Sequence, residues 1–313
     1  MANNGKWLED FEPGHAISEV ARAAIATRST RMLECLPLAA KKWKEDVEHV
    51  HHLRTWARRT QSALQLFALL LPLKRLTSLR KATQRLRKAA CPARDLDVFQ
   101  KRIRKSKFDF AEGEREEVLA YLQKLRKRAQ LSIVDANRWA RERDIARECR
   151  GLVKRIRWRE VAEEETLETI APTLLEPMMV RFFHYSQLLN ESPESLHQMR
   201  IEGKKARYAM ELVEGGFPPS FRQELYPAFE EVQAKLGVIN DHHTAIEKIE
   251  GWQAQTSAKK FPPVLLRMVE HEKAQFDRKA DAFRVWWTQE RAVELKNHFD
   301  RFLGGLGMPV AES

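Results

Sequence analysis

Three cysteines occur in 313 residues, Cys35, Cys91 and Cys149. They are odd in number, widely spaced and contain no Cys-x-x-Cys, which excludes a disulfide framework and a thiolate zinc cage. So few thiols fit a reducing compartment. Long apolar runs are also missing. The longest, Leu64 to Leu73, is interrupted by Gln65 and Pro72 and falls short of the ~20 residues needed to cross a bilayer. The N-terminus places Glu9, Asp10 and Glu12 just after Trp7, so it lacks the basic and apolar regions of a signal peptide. A soluble cytoplasmic protein is expected. Alternating β-branched runs are absent, and Gly and Pro gather at a few points with long helical periodicities between them. The expected fold class is all-α.

Charge is plentiful and unevenly placed. Charged residues make up 32% of the chain and the net charge is +11, so an anionic partner is the default expectation. Residues 51–110 hold sixteen Lys or Arg against three Asp, an excess larger than that of the whole chain. Within this stretch, His51-His52-Leu53-Arg54-Thr55-Trp56-Ala57-Arg58-Arg59 returns as His197-Gln198-Met199-Arg200-Ile201-Glu202-Gly203-Lys204-Lys205. The offset of 146 also carries Ala93–Asp97 onto Ile239–His243 and Pro72 onto Pro218. Two motifs keeping one ungapped offset indicate an internal duplication.

The spacing predicts helices over about 16–36, 45–71 and 73–90, the last stopping at Cys91-Pro92. Another starts near Asp95, and a long one follows Glu114 towards Gly151. The second half repeats the plan, with helices over 173–190, from Ser192-Pro193 (Ser192 as N-cap) to Gly215, over 220–236, and from Asn240 or Asp241. A last long helix runs from Pro262-Pro263 to Gly304, and the residues after Gly307 are expected to fray.

At ~100° per residue, His51, Arg54, Arg58, Gln61 and Gln65 share an arc of about 80°. Leu53, Trp56, Ala57, Thr60, Ala63, Leu64 and Phe67 lie opposite. In the second copy His197, Arg200, Lys204, Arg207 and Glu211 take the same arc, and Met199, Ala206, Ala209, Met210 and Val213 the apolar one. Lys205 sits where Arg59 does. A solvated surface helix usually mixes signs at i, i+4; Arg54/Arg58 and Arg200/Lys204 are like-charged pairs, which destabilise a helix unless an anion or carboxylates neutralise them. Residues 73–90 add a second basic face with Lys81, Arg85 and Lys88, opposite Leu76, Leu79, Ala82, Leu86 and Ala89. Arg and Lys suit phosphate, bidentate for Arg. Asp95 and Asp241 are read first as helix N-caps, and second as partners that hold the cations in place.

These stretches resemble the CHAD family, the conserved histidine α-helical domain. Its first half reads V-H-x-L-R-x-x-x-R-R, as from Val50 to Arg59, followed by G-x-A-R-D-L-D-V, as from Cys91 to Val98. Its second half reads L-H-x-x-R-I-x-x-K-K-x-R-Y-x-x-E, as from Leu196 to Glu211, then L-G-x-x-N-D, as at Leu236, Gly237, Asn240 and Asp241. Three positions depart: Gln61 where many relatives have Arg, Cys91 for the Gly, and Asp241-His242-His243 for a D-x-D. The resemblance implies two pseudo-symmetric four-helix bundles with a central basic channel or cleft, over residues 16–304. The first bundle covers about 16–150 and the second about 160–304, with tails at 1–15 and 305–313. It also implies binding of inorganic polyphosphate, association with polyphosphate granules, and no established reaction. The implied contact set is His51, Arg54, Arg58, Arg59, Lys81, Arg85, Lys88, Arg94, His197, Arg200, Lys204, Lys205, Arg207 and Tyr208, with no cofactor or metal.

Two other functions use the same residues. RNA or DNA binding is permitted by the charge, but the basic stripe has little aromatic interleaving for base stacking, with Trp56 on the apolar side and Tyr208 at the flank. A metal-dependent phosphohydrolase would use Asp241-His242-His243 and His51-His52. Adjacent helical histidines point about 100° apart, however, and do not readily share a metal.

Overall fold

The computed structural model describes residues 6–304 apart from 9, 107, 190–192 and 256–260. Ser192 and the residues after Gly307 therefore lie outside the described residues. Those described are helical, with one isolated antiparallel bridge, Ala16 to Thr166. Ten α-helices follow in order among the described residues: α1 Ile17–Lys41, α2 Glu48–Leu66, α3 Leu73–Lys105, α4 Glu114–Glu142, α5 Ile145–Val153, α6 Leu167–Gln187, α7 Pro193–Val213, α8 Tyr226–Gln255, α9 Val264–Trp286 and α10 Gln289–Leu303. The offset of 146 runs through this order. It carries the 3-10 turn Ala68–Leu70 onto a second one at Glu214–Gly216, and the end of α1 onto the end of α6.

Several predicted stops are not stops. α3 continues through Pro92 and α1 through Pro37. Proline removes one helical N–H. At Pro92 both the proline and Lys88, the residue whose carbonyl loses its donor, face solvent, while Leu86, Ala90, Ala93 and Leu96 bury the opposite side. Asp95 and Asp241 consequently stand inside α3 and α8 and cap nothing. The predicted 220–236 segment begins with a π-helical turn, Phe221–Leu225, and from Tyr226 it and the helix expected from 240 are likewise one helix, α8. Elsewhere the chain breaks where continuity was expected. α4 ends and α5 begins at Asp144, whose left-handed backbone (φ 50) and side chain, accepting from the Arg147 N–H, restart the helix. Thr288, whose backbone is extended, caps α10 by accepting from the Arg291 N–H, separating it from α9.

The chain divides into two compact units. The first-motif unit comprises residues 21–157 and 243–274, and the second-motif unit residues 6–20, 158–242 and 275–304. The core of the first joins α3 and α4 to the end of α8 and the start of α9 through Phe99, Ile103, Val118 and Leu122 with Ala245, Ile249, Val264 and Met268. These are four pairs of positions related by 146, so equivalent residues of the two copies meet in one core. The core of the second unit is aromatic: Phe182 packs edge-on against Phe183, Phe229 and Trp287, and Phe299 against Phe183 and Phe229. Trp7 closes it, buried against Tyr226 at 4.6 Å. Gly215 allows the preceding chain to pass close, since a Cβ there would lie 2.1 Å from the Phe11 carbonyl oxygen.

Candidate anion-binding site

In the first-motif unit, α2 buries Leu53, Trp56, Ala57, Thr60, Ala63 and Leu64, which turns His51, Arg54 and Arg58 to the partly exposed side. Carboxylates of α3 and α2 hold the cations. Asp95 lies 3.7 Å from Arg54 and 3.1 Å from Lys248, so one acid bridges α2 and the end of α8. Arg94 donates to Glu48 at 3.0 Å. Burial alone would raise the Glu48 carboxyl, but the Arg94 bond and charge, with His51 and Lys101, hold it below its usual range. His51 behaves oppositely. Burial, then the Arg94 charge, push its pKa down to about 4, against the pull of Glu48. Its imidazole is therefore neutral at pH 7.

Lys81 and Lys88 are exposed and lie at seven-residue steps before Asp95, on one stripe of α3. Arg85 sits aside from that stripe, with its guanidinium 4.2 Å from the Trp139 ring of α4. Arg59 lies over Trp56 at 5.0 Å.

In the second-motif unit, α7 buries Met199, Ala206, Ala209, Met210 and Val213. His197 is exposed, and Arg200 and Lys204 are half-buried. Glu202, 5% exposed, accepts from Lys205 at 2.6 Å and from Arg181 at 3.0 Å. Arg207 donates to Glu230 at 3.0 Å. Buried Glu211 accepts from the Tyr226 hydroxyl at 2.9 Å, and burial is the main reason that hydroxyl is pushed above its ordinary pKa. Tyr208 is buried.

The family model of the CHAD domain matches residues 23–250. The chain belongs to the CHAD family. Two solved structures share the CHAD fold with it. The crystal structure of the CHAD domain from the plant Ricinus communis has a TM-score of 0.71 at 18% identity, over 88% of this chain and 93% of that one. PptA from Streptomyces chartreusis has a TM-score of 0.60 at 19% identity, over 90% of this chain and 100% of that one. No curated protein matches.

The predicted CHAD contact residues are thus sorted by their surroundings. His51, Arg54, Arg58, Arg94, Arg200 and Lys204 are half-buried on the motif helices or beside them, and Lys81, Lys88 and His197 are exposed. Lys205 and Arg207 are drawn to buried or half-buried carboxylates, and Tyr208 is inside. Sequence reasoning missed Lys248, which shares Asp95 with Arg54. It also missed Glu202 and Arg181 as a clamp on the second motif. The acidic letter in the motif, Glu202 between Arg200 and Lys204, was the available signal. Among the described residues, no three His, Cys, Asp or Glu stand close enough to hold a metal ion. His243, in the Asp241-His242-His243 triplet, lies 3.5 Å from Glu247.

Proposed function

We propose that this CHAD chain is a binding protein for inorganic polyphosphate and carries out no reaction on it. One observation supports the reading above others: each motif helix presents half-buried cations of one sign while interior or flanking carboxylates, Asp95 in one unit and Glu202 in the other, hold neighbouring cations in position. A stripe of cations held in place suits a polymer that carries charge at every unit and no bases to read. The pseudo-symmetric four-helix bundles, the basic channel and the association with granules that the resemblance implies belong to the same proposal. Among the described residues no helix is long and apolar enough to cross a membrane.

The double variant Arg54→Glu with Lys204→Glu tests it. Both side chains are partly exposed, so helical circular dichroism should be retained while gel retardation by polyphosphate is lost. Unchanged retardation of the folded variant sinks the site assignment. RNA that resists displacement by long polyphosphate at equal charge sinks the ligand assignment.

A further inference from the structure

The offset of 146 relates the two copies, but in one region it carries cations onto acids or, once, onto a neutral residue. Arg94, Lys101, Arg104 and Arg126 of the first copy correspond to Asn240, Glu247, Glu250 and Glu272 of the second. Those four cations, with Lys44 and Lys127, line a cavity of ≈ 780 Å³ in the first-motif unit. Its walls are the segment between α1 and α2, the C-terminal part of α3, and the middle of α4. Two acids share the lining, and each has its own cation: Glu48 is paired with Arg94 and Asp97 with Arg126. Among the described residues, Lys44, Lys101, Arg104 and Lys127 have no carboxylate at ion-pair distance. Cations gathered around one cavity repel each other and raise the local concentration of anions.

Arg126 makes this a built site. Its side chain is 4% exposed. Nε donates to Asp97 at 2.6 Å, and Nη1 donates to Gln130 at 3.0 Å. Gln130 is anchored in turn, donating to the carbonyls of Ala39 and Ala40. The Trp43 ring lies 4.4 Å from the guanidinium carbon. Nη2 is buried and has no acceptor, and Oδ2 of Asp97 is likewise buried and has no donor. A buried ion pair contributes little net stability, so this one is better explained by what it positions. A guanidinium held on three sides, with one donor unmet, is suited to an oxyanion.

We propose that this cavity is a second anion site that takes a compact phosphoanhydride, pyrophosphate or triphosphate, either free or as the end of a longer chain. Several charges on a small anion match four cations without acids, whereas a single carboxylate would leave most of them unneutralised. The assignment goes beyond polymer binding by the motif stripes and does not depend on it, because only Arg94 belongs to both.

Calorimetric titration with sodium pyrophosphate at low ionic strength is the test. Lys101→Glu with Lys127→Glu reverses two exposed cations of the cavity, and Lys279→Glu with Arg301→Glu reverses two exposed cations of the other unit as a control for net charge. Pyrophosphate affinity should fall by about tenfold or more in the cavity variant and by about twofold or less in the control. Failure of the wild-type protein to bind pyrophosphate, or an equal loss in both variants, overturns the proposal. Pyrophosphate binding by a protein that ignores long polyphosphate would support this site while sinking the polymer reading. Competition identifies the source. If long polyphosphate displaces pyrophosphate neither with its ends blocked nor with them free, the occupant is the free anion; if only chains with unblocked ends do, chain ends share the cavity. Equal displacement by end-blocked chains overturns a site for compact anions.

Discussion

In the first-motif unit the acids that balance the basic helices reach across from one helix to another: Arg54 of α2 to Asp95 of α3, Arg94 of α3 to Glu48 of α2, and Arg126 of α4 to Asp97 of α3. In the second-motif unit acids also reach across helices, Glu202 of α7 to Arg181 of α6 and Glu230 of α8 to Arg207 of α7. Glu202 additionally holds Lys205 one turn away on its own helix, and both of its cations are more exposed than those three arginines of the first unit. The second basic face is also unequal. Positions 81, 85 and 88 of α3 are Lys, Arg and Lys, and the corresponding positions 227, 231 and 234 of α8 are Pro, Glu and Ala. The duplication has kept the motif stripe in both copies and the supporting wall in one. Copies of a helix can thus share cations while differing in how those cations are fixed and reinforced.

The largest expected effect concerns the buried pairs. Asp97→Asn leaves Arg126 charged and enclosed, and should cost about 3 kcal/mol in urea unfolding. Glu202→Gln should cost about 1 kcal/mol or less, because its partners Arg181 and Lys205 are 45% and 40% exposed. Equal costs would erase the contrast between enclosed and exposed partners.

Next comes the wall. Lys81→Glu with Lys88→Glu should lower polyphosphate affinity about tenfold and flatten its salt dependence, since fewer counterions are released. Ala234→Lys, which supplies the second copy with a cation it lacks, should raise affinity by about two- to threefold. If both sets leave retardation unchanged, α3 is no part of the binding surface.

The smallest effect is one of pH. His51 is neutral in the free protein, its pKa held near 4 by burial and by Arg94, with His52 and Arg54 adding and Glu48 opposing. A phosphate nearby would raise that value, so binding takes up a proton and strengthens as pH falls from 7 towards 5. His51→Gln should weaken this trend by a few fold, as measured by retardation across that range. The same depressed value has a linked consequence for folding. Below pH 6.5 the unfolded chain protonates this histidine and the folded chain does not, so its contribution to stability is present above about 6.5 and is lost as pH falls towards 4.

The helices and their buried faces were legible because burial repeats every 3.6 residues. Every apolar position assigned to α2 is buried. What misled was punctuation. Pro37 and Pro92 read as stops, and the sequence carries no sign that packing on the opposite side of α3 sustains the helix through them. Once Pro92 is interior, Asp95 cannot cap and becomes the acid between Arg54 and Lys248. The cavity around Arg126 was illegible for a different reason: Trp43, Asp97 and Arg126 are far apart in the chain, and no periodicity links them. Its charge reversal could have been found by applying the offset to every cation rather than to the motifs alone.

The core in which Phe99, Ile103, Val118 and Leu122 meet their counterparts Ala245, Ile249, Val264 and Met268 has the character of an obligate dimer whose subunits are joined by a peptide. Neither copy completes it, just as protomers of obligate dimers often have no folded monomer of their own. The covalent link between the copies sets a fixed effective concentration for their meeting. Folding of the intact chain is therefore independent of protein concentration, whereas halves separated between α5 and α6 would assemble by mass action and fall apart on dilution.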